Sequence, residues 1–155
     1  MLKDFLRNWS PKGDASELPR QAGALPYSLV EGQVVFLLVT SRHSGRWIFP
    51  KGQLVKSLTP WESAAQEAFE EAGVSGEIAE TPIGSYRTAL SDAEHSLAQV
   101  DLFPLRVTTQ HDDWPEKAER HRHWALLADT RRLLARRRPA ALAEQLSLQV
   151  LRAPR

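Results

Sequence analysis

Three glutamates stand close together in the stretch QEAFEEAGV, residues 66–74. Glu67, Glu70 and Glu71 are spaced so that a helix places all of them on one face. Like charges at this spacing cost roughly 0.2–0.5 kcal/mol per pair, and no Lys or Arg lies within helical reach to offset the repulsion. A solvated acidic face is the ordinary explanation for such glutamates. A divalent cation would instead make the arrangement favourable, and carboxylate oxygens suit Mg²⁺ or Mn²⁺.

Basic side chains surround the sequence FPKG, residues 49–52, which precedes the glutamates. They are Arg42, Arg46, Lys51 and Lys56. Gly52 allows the backbone to approach a ligand or a metal closely, because glycine has no side chain. Lys51, between Pro50 and Gly52, is the member of this set that we favour for a functional role. Acidic metal ligands beside basic phosphate-binding groups indicate a site for a phosphoanhydride.

The helix that must position the glutamates has clear sequence signals at both ends. Thr59 and Glu62 form a capping box, and Pro60 suits the first helical position. Gly73 suits a left-handed C-terminal cap, so the helix is predicted from about Pro60 to Ala72. Its apolar side is expected to contain Trp61, Ala65, Ala68, Phe69 and Ala72. The three glutamates then occupy a separate arc of about 100°.

The segments before and after this helix are mostly β-rich. Residues 22–30 and 33–41 predict a hairpin around the turn Glu31-Gly32, with a second arm that is continuously apolar and therefore buried. Further segments predict a short strand within 45–52 that breaks into a loop, strands near 83–90, 97–108 and 121–128, and helices beginning near Thr130 and Ala140. This order of elements favours an α+β or α/β sandwich.

The chain has 155 residues, a size typical of one domain, which we predict at 21–155 after an N-terminal arm at 1–20. Its formal net charge of +1 gives no general attraction to nucleic acid or to anionic membranes. The absence of cysteine excludes disulfides, thiol catalysis and Cys-ligated zinc. Neither a signal peptide nor a membrane span is recognisable, so we expect a cytoplasmic protein. The oligomeric state stays open, with a homodimer among the alternatives.

The stretch from Gly52 to Val74 resembles the Nudix box, the signature of the Nudix hydrolases. The matching positions are Gly52, Glu67, Ala68, Glu70, Glu71, Gly73 and Val74. Two positions depart from the pattern, because Leu58 replaces the first glutamate of the box and Gln66 replaces its arginine. The family arginine orients the glutamates by salt bridging, which a neutral glutamine can do only more weakly. Glu62 is close to the missing glutamate, but the capping box accounts for it.

Flanking sequences resemble bacterial relatives of the diphosphoinositol polyphosphate and diadenosine polyphosphate hydrolases. The matching pieces are TSRHSGRWIFPKG, QLVKSLTP, IGSYRT, VDLFPL and DDWPEKAERHRHW, and the resemblance covers about residues 22–135. It implies a Nudix α/β/α sandwich with a mixed β-sheet. It also implies hydrolysis of a small phosphorylated substrate, a nucleoside or inositol diphosphate linked to a variable group.

The same resemblance implies roles for the site residues. Glu67, Glu70 and Glu71 would hold one or more Mg²⁺ ions, or Mn²⁺, that lower the pKa of an attacking water. Glu67 is either a ligand or the general base. The phosphates would be bound by Arg42, Arg46 and Lys51. A further carboxylate from a loop outside the box is expected, and the candidates are Asp92, Glu94 and Glu116.

Two functions of different class remain open from the sequence. One is a pyrophosphohydrolase acting on dinucleoside polyphosphates, diphosphoinositol polyphosphates, ADP-ribose or a similar compound. The other is a Nudix-fold module that binds a phosphorylated ligand or a protein. The presence of Leu58 and Gln66 in place of two box residues favours this second function. His121 and His123 alternate on a predicted strand without a third partner, so a zinc site is not expected there.

Overall fold

The computed structural model of the protein describes residues 18–90 and 96–153. Most of the predicted arm, residues 1–17, and residues 91–95, between two of the predicted strands, lie outside the described residues. Arg20 already belongs to the first strand. Within the described part, no helix is both long and apolar enough to cross a membrane.

Eight strands and three α-helices make up the described fold. The strands are β1 (Arg20–Val30), β2 (Gln33–Thr40), β3 (Trp47–Ile48), β4 (Lys51–Gln53), β5 (Val74–Ile78), β6 (Gly84–Ala89), β7 (Leu97–Gln110) and β8 (Arg122–Leu126). The helices are α1 (Pro60–Glu67), continued by a π-helical turn (Ala68–Ala72), α2 (Leu127–Leu133) and α3 (Arg137–Arg152), with a 3₁₀ turn at Lys117–Glu119. The predicted α+β architecture is confirmed.

The two long strands β1 and β7 lie side by side and parallel at the centre of one mixed sheet. β1 pairs antiparallel with β4 through its first half and with β2 through its second half. β7 pairs antiparallel with β6 through its first half and with β5 through its second. β2 also pairs with β3 and β8. Strand β4 therefore holds Lys51 and Gly52 against the centre of the sheet.

Helices cover both faces of this sheet, and each face has its own apolar core. On one face, Ala64 of α1 and Ala68 and Ala72 of the π turn pack against Ala22 and Leu37 of the strands. The small alanine side chains allow the helix to approach the sheet closely. On the other face, α3 packs its residues Leu142, Ala143 and Leu146 against Leu25, Phe36, Leu38, Val100 and Leu102. This arrangement confirms the predicted sandwich.

The local sequence signals at turns and helix ends are confirmed. Glu31 and Gly32 both have positive φ, 51° and 79°, as a tight hairpin turn requires. Thr59 and Glu62 form the capping box, with the Thr59 amide donating to Glu62 Oε1 at 2.9 Å. Gly73 ends the helix in the left-handed conformation at φ 67°. These signals are correct because each depends on a few neighbouring residues.

Several predicted boundaries were wrong. Residues 51–53 form strand β4 instead of a loop, because they pair with β1. Strand β5 was missed, since its sequence VSGEI is short and mostly polar. α2 begins at Leu127 and α3 at Arg137, each three residues before the predicted start. Phe69 is 38% exposed, because the π turn rotates it away from the predicted apolar face.

The segment after β7 wraps around the C-terminal end of the glutamate helix. Trp114 Nε1 donates to the Glu71 carbonyl at 3.0 Å, and Arg122 Nη1 donates to the Ala72 carbonyl at 3.0 Å. The Arg122 guanidinium also lies over the Trp114 ring, 3.9 Å from its centroid. These donors satisfy carbonyls that a helix end leaves free, so a distant segment fixes the turn that carries Glu70 and Glu71.

We predict that Gly73→Ala destabilises the protein more than Gly32→Ala. Both positions have positive φ, so each alanine costs about 1 kcal/mol in backbone strain. A Cβ at Gly73 would also come within 2.7 Å of Trp114 and 2.8 Å of Arg122, whereas a Cβ at Gly32 meets nothing within 4 Å. Urea unfolding should show roughly 1–2 kcal/mol of extra loss for Gly73→Ala. Equal losses would show that the Trp114–Arg122 clamp has no energetic role.

Candidate active site

The π turn places the three glutamates in different environments. Glu71 is buried, with only 3% of its surface exposed, while Glu67 and Glu70 are half-buried. Gln66 Nε2 donates to Glu70 Oε1 at 2.9 Å. Gln66, which replaces the arginine of the Nudix box, thus contacts Glu70 through a hydrogen bond without a positive charge. The alternative of a solvated acidic face does not describe Glu71, which is buried within the π turn.

Gly52 lies directly against the Glu67 carboxyl group. A Cβ at Gly52 would overlap Glu67 Oε1 and would stand 2.8 Å from Oε2. With the Glu67 side chain in this position, no Cβ fits between strand β4 and the carboxylate. Gly52, at the start of the box, therefore lies in contact with Glu67, although a loop and most of α1 separate them in the sequence.

The carboxylates face a cation that comes from outside the helix. Arg120 Nη2 lies 3.5 Å from Glu71 Oε1, and Arg120 Nε donates to Glu116 Oε1 at 2.9 Å. Its Nη1 donates to the Thr40 carbonyl at 2.9 Å. Arg42 approaches the same network at 3.8 Å from Glu116 Oε1. Of the three predicted loop acids, Glu116 therefore lies near the glutamates; Asp92 and Glu94 lie outside the described residues.

A cavity of about 630 Å³ opens beside the glutamates. Its lining includes all three predicted phosphate-binding residues, Arg42, Arg46 and Lys51, together with Gly52 and Glu71. Among the described residues it also includes cations that sequence reasoning did not assign to the site, Arg120 and Arg136. Lys56 is exposed on the loop after β4 and does not line the cavity. The cavity thus brings together the Glu71 carboxyl group and several basic side chains.

Burial changes the proton affinities of the groups in this cavity. It raises the pKa of Glu71 to about 9, and a hydrogen bond shared with Glu67 acts in the same direction. Burial likewise raises the pKa of Glu67. Burial lowers the pKa of Lys51, although the nearby Glu71 charge opposes this change. Lys51 Nζ donates a hydrogen bond to Gln21 Oε1 at 3.2 Å.

The carboxyl groups of this site fit a hard divalent cation in donor type. Glu71 Oε1 is buried and has no hydrogen-bond partner, although Arg120 Nη2 lies 3.5 Å away, so it retains an acceptor position for a ligand. In the described part of the chain, however, no three His, Cys, Asp or Glu side chains are gathered closely enough to form a ready metal site. His123 packs against Trp47, with the two ring centroids 5.8 Å apart.

The chain belongs to the NUDIX domain family, whose sequence profile matches residues 18–145. It is 32% identical over 121 residues to Nudix hydrolase 12, mitochondrial, of Arabidopsis thaliana, covering 66% of this chain and 60% of that protein. It is 29% identical over 146 residues to diphosphoinositol polyphosphate phosphohydrolase 3-alpha of Mus musculus, covering 92% of this chain and 84% of that protein. The chain thus spans about 60% of the length of the plant relative. The predicted family membership is confirmed.

Solved structures show the same fold. A crystal structure of C. elegans Ap4A hydrolase superposes with a TM-score of 0.67 at 20% identity, covering 86% of this chain and 98% of that chain. The NUDIX domain of Shewanella oneidensis NrtR complexed with ADP ribose superposes with a TM-score of 0.66 at 16% identity, covering 97% of this chain and 99% of that chain. At these identities the likeness concerns the fold alone.

We predict that the metal-free protein loses stability as pH rises from 6 to 9, and that Glu71→Gln reduces this loss. The raised pKa of Glu71 means that its neutral form stabilises the fold below the unfolded pKa of about 4.5. This contribution disappears as pH rises toward 9. Glutamine stays neutral throughout, so its variant should have a flatter profile. Thermal melts in the presence of a chelator measure both proteins.

A divalent cation should compensate for this loss in the wild-type protein. Mn²⁺ at 1 mM is expected to raise the melting temperature by several degrees at pH 8, and by less at pH 5.5, where protons compete for the carboxylates. In Glu71→Gln the increase should be small at both pH values. An equal Mn²⁺ effect in the variant would show that the ion binds elsewhere.

Proposed function

We propose that the protein is a Mg²⁺- or Mn²⁺-dependent pyrophosphohydrolase that cleaves a phosphoanhydride bond in a nucleoside or inositol polyphosphate. The observation that carries this proposal is the pairing of a buried carboxylate wall with a basic cavity. The Glu71 carboxyl and the side chains of Arg42, Arg46 and Lys51 line the same space. A bound metal ion supplies charge neutralisation at the phosphates and a lower pKa for the attacking water.

The residues of the site have different proposed roles in this reaction. Glu67, Glu70 and Glu71 are the proposed metal ligands, and Glu67 is alternatively the base that accepts a proton from the water. Gly52 keeps the Glu67 carboxylate close to strand β4. Lys51, Arg46 and Arg42 bind the phosphate oxygens, where they stabilise negative charge that develops on the leaving group.

The charge of the cavity supports a substrate with several phosphates. Among the described residues, five Lys or Arg side chains line it, against the carboxylate of Glu71, and one of the five, Arg120, is paired with that carboxylate. Such an excess of cations favours a dinucleoside polyphosphate or a diphosphoinositol polyphosphate over a compound with two phosphates. The mouse relative is named for diphosphoinositol polyphosphates, and the C. elegans neighbour for Ap4A. ADP-ribose is the next candidate, because a NUDIX domain of the same fold was crystallised with it.

A module that binds a phosphorylated ligand without turnover is the second candidate. It is favoured by Leu58 and Gln66, which leave the box without one glutamate and its arginine. The two functions differ in what Glu70 does, since a hydrolase requires its carboxylate during turnover. We also propose a cytoplasmic location, although some relatives are named mitochondrial. The homodimer remains an open alternative for the oligomeric state.

We predict metal-dependent hydrolysis that is lost in Glu70→Gln. A panel of diadenosine polyphosphates, diphosphoinositol polyphosphates, ADP-ribose and nucleoside triphosphates is incubated with Mg²⁺ or Mn²⁺, and phosphate-containing products are separated by ion-exchange chromatography. Turnover of one class should fall at least about 100-fold in the variant, because a metal ligand is removed. Glu62→Gln is the matched control, since Glu62 is an exposed capping residue of the same helix.

The outcomes separate the two candidate functions. Turnover that survives in Glu62→Gln and disappears in Glu70→Gln supports the hydrolase and identifies its substrate class. Absence of turnover across the panel, under conditions in which a known Nudix hydrolase is active, contradicts the hydrolase. Calorimetric binding of a panel compound without turnover would then support the binding module.

A further inference from the structure

Arg120 is the most buried cation next to the proposed metal ligands. Its side chain is 7% exposed, and its guanidinium contacts three acceptors at once. These are Glu71 Oε1 at 3.5 Å, Glu116 Oε1 at 2.9 Å and the Thr40 carbonyl at 2.9 Å. Each nitrogen of the guanidinium therefore has its own neighbour, with hydrogen bonds to Glu116 and Thr40 and an ion-pair contact to Glu71.

The backbone that carries Arg120 is also fixed. The His121 amide donates to Thr40 Oγ1 at 2.9 Å, and the Thr40 amide donates to the His121 carbonyl at 3.0 Å. These bonds hold residues 120–121 against the end of strand β2. The neighbouring loop is joined to the glutamate helix itself, since the Glu116 amide donates to the Glu70 carbonyl at 3.0 Å. The guanidinium is therefore rigid with respect to both the sheet and the helix.

The helix that carries the glutamates, α1 with its π turn, has no cation of its own to pair with Glu71. Neither α1 nor the π turn contains a Lys or Arg, and the residue that contacts Glu70 is the neutral Gln66. A buried carboxylate without a positive partner is strongly destabilised in its charged form and has no preferred position. Arg120 supplies the partner from a segment nearly 50 residues away.

We propose that Arg120 is the positioning residue of this site: its guanidinium holds the Glu71 carboxylate in place and ties it to Glu116. The inference rests on the proposed function, because it assigns the orientation of a proposed metal ligand. Arg120 acts through Glu71, and its contacts leave little of it free for the phosphates.

The test compares Arg120→Gln and Arg120→Lys with Arg106→Gln as a control. Arg106 is likewise paired with a glutamate, Glu77 at 2.9 Å, but this pair is exposed and Arg106 does not line the cavity. Mn²⁺ binding is measured by electron paramagnetic resonance at pH 8, and kcat and KM are measured with diadenosine tetraphosphate or with the panel compound that the wild type hydrolyses fastest. Thermal melts establish the temperature range in which each variant is folded.

The positioning role predicts a specific combination of results. Arg120→Gln should bind Mn²⁺ about tenfold more weakly, because a residue that orients a metal ligand is lost. This direction is informative, since removal of a nearby positive charge would by itself strengthen cation binding. Its kcat should fall about 10- to 100-fold with less than about a threefold change in KM. Arg120→Lys should recover part of both losses, because it retains the charge without the three-way contact.

Other results would overturn the inference without deciding the proposed function. Unchanged or tighter Mn²⁺ binding in Arg120→Gln would show that the ion pair does not position Glu71. A raised KM with unchanged kcat would make Arg120 a substrate-binding residue instead. An equal loss of Mn²⁺ affinity in Arg106→Gln would show that the loss does not depend on the contact between Arg120 and Glu71. Should Arg120→Gln fail to fold, Arg120→Lys provides the same comparison. The proposed function fails separately, if the wild type hydrolyses no panel compound.

Discussion

The structure depends on the burial of one carboxylate, that of Glu71, beside a helix that offers it no cation. Burial of a charge is costly unless a partner offsets it. The fold provides that partner through Arg120, and it secures the turn through Trp114 and Arg122, which bind the carbonyls of the helix end. The raised pKa of Glu71 is one consequence of this constraint. The proposed binding of a divalent cation would be another, because the cation would offset the carboxylate charge.

The sheet positions the two halves of the site with respect to each other. Strand β4 pairs with β1 and thereby fixes Lys51 and Gly52, while alanines of α1 and the π turn seat the helix closely on the same strand. Gly52 then lets the Glu67 carboxylate lie against the strand, in a position from which any Cβ would displace it. The basic side chains reach the cavity from the loop after β2 and from the start of α3. Acidic and basic walls therefore meet although their own segments are far apart in the sequence.

Local features of this protein could be predicted from the sequence, and features that depend on distant segments could not. The capping box at Thr59 and the left-handed Gly73 follow from neighbouring residues, and the three glutamates were recognised by spacing. The π turn was missed because its wider geometry has no clear sequence signal, and with it the burial of Glu71. Arg120 was missed because its role arises only when the segment after β7 folds back onto the helix. The sequence offered one signal for this contact: the three glutamates have no Lys or Arg within helical reach, so a cation that pairs with them has to come from another segment.

The most direct test of this account is a crystal structure with Mn²⁺ and methylene diphosphonate, a non-hydrolysable phosphoanhydride mimic, using anomalous diffraction to locate the metal. The account predicts at least one anomalous peak coordinated by carboxylates of Glu67, Glu70 and Glu71, with the diphosphonate between this metal and Lys51. Glu71 should remain in contact with Arg120. A metal bound elsewhere, or a diphosphonate in the cavity without a metal at the glutamates, would contradict the claim that the buried carboxylates form a cation site for phosphoanhydride hydrolysis.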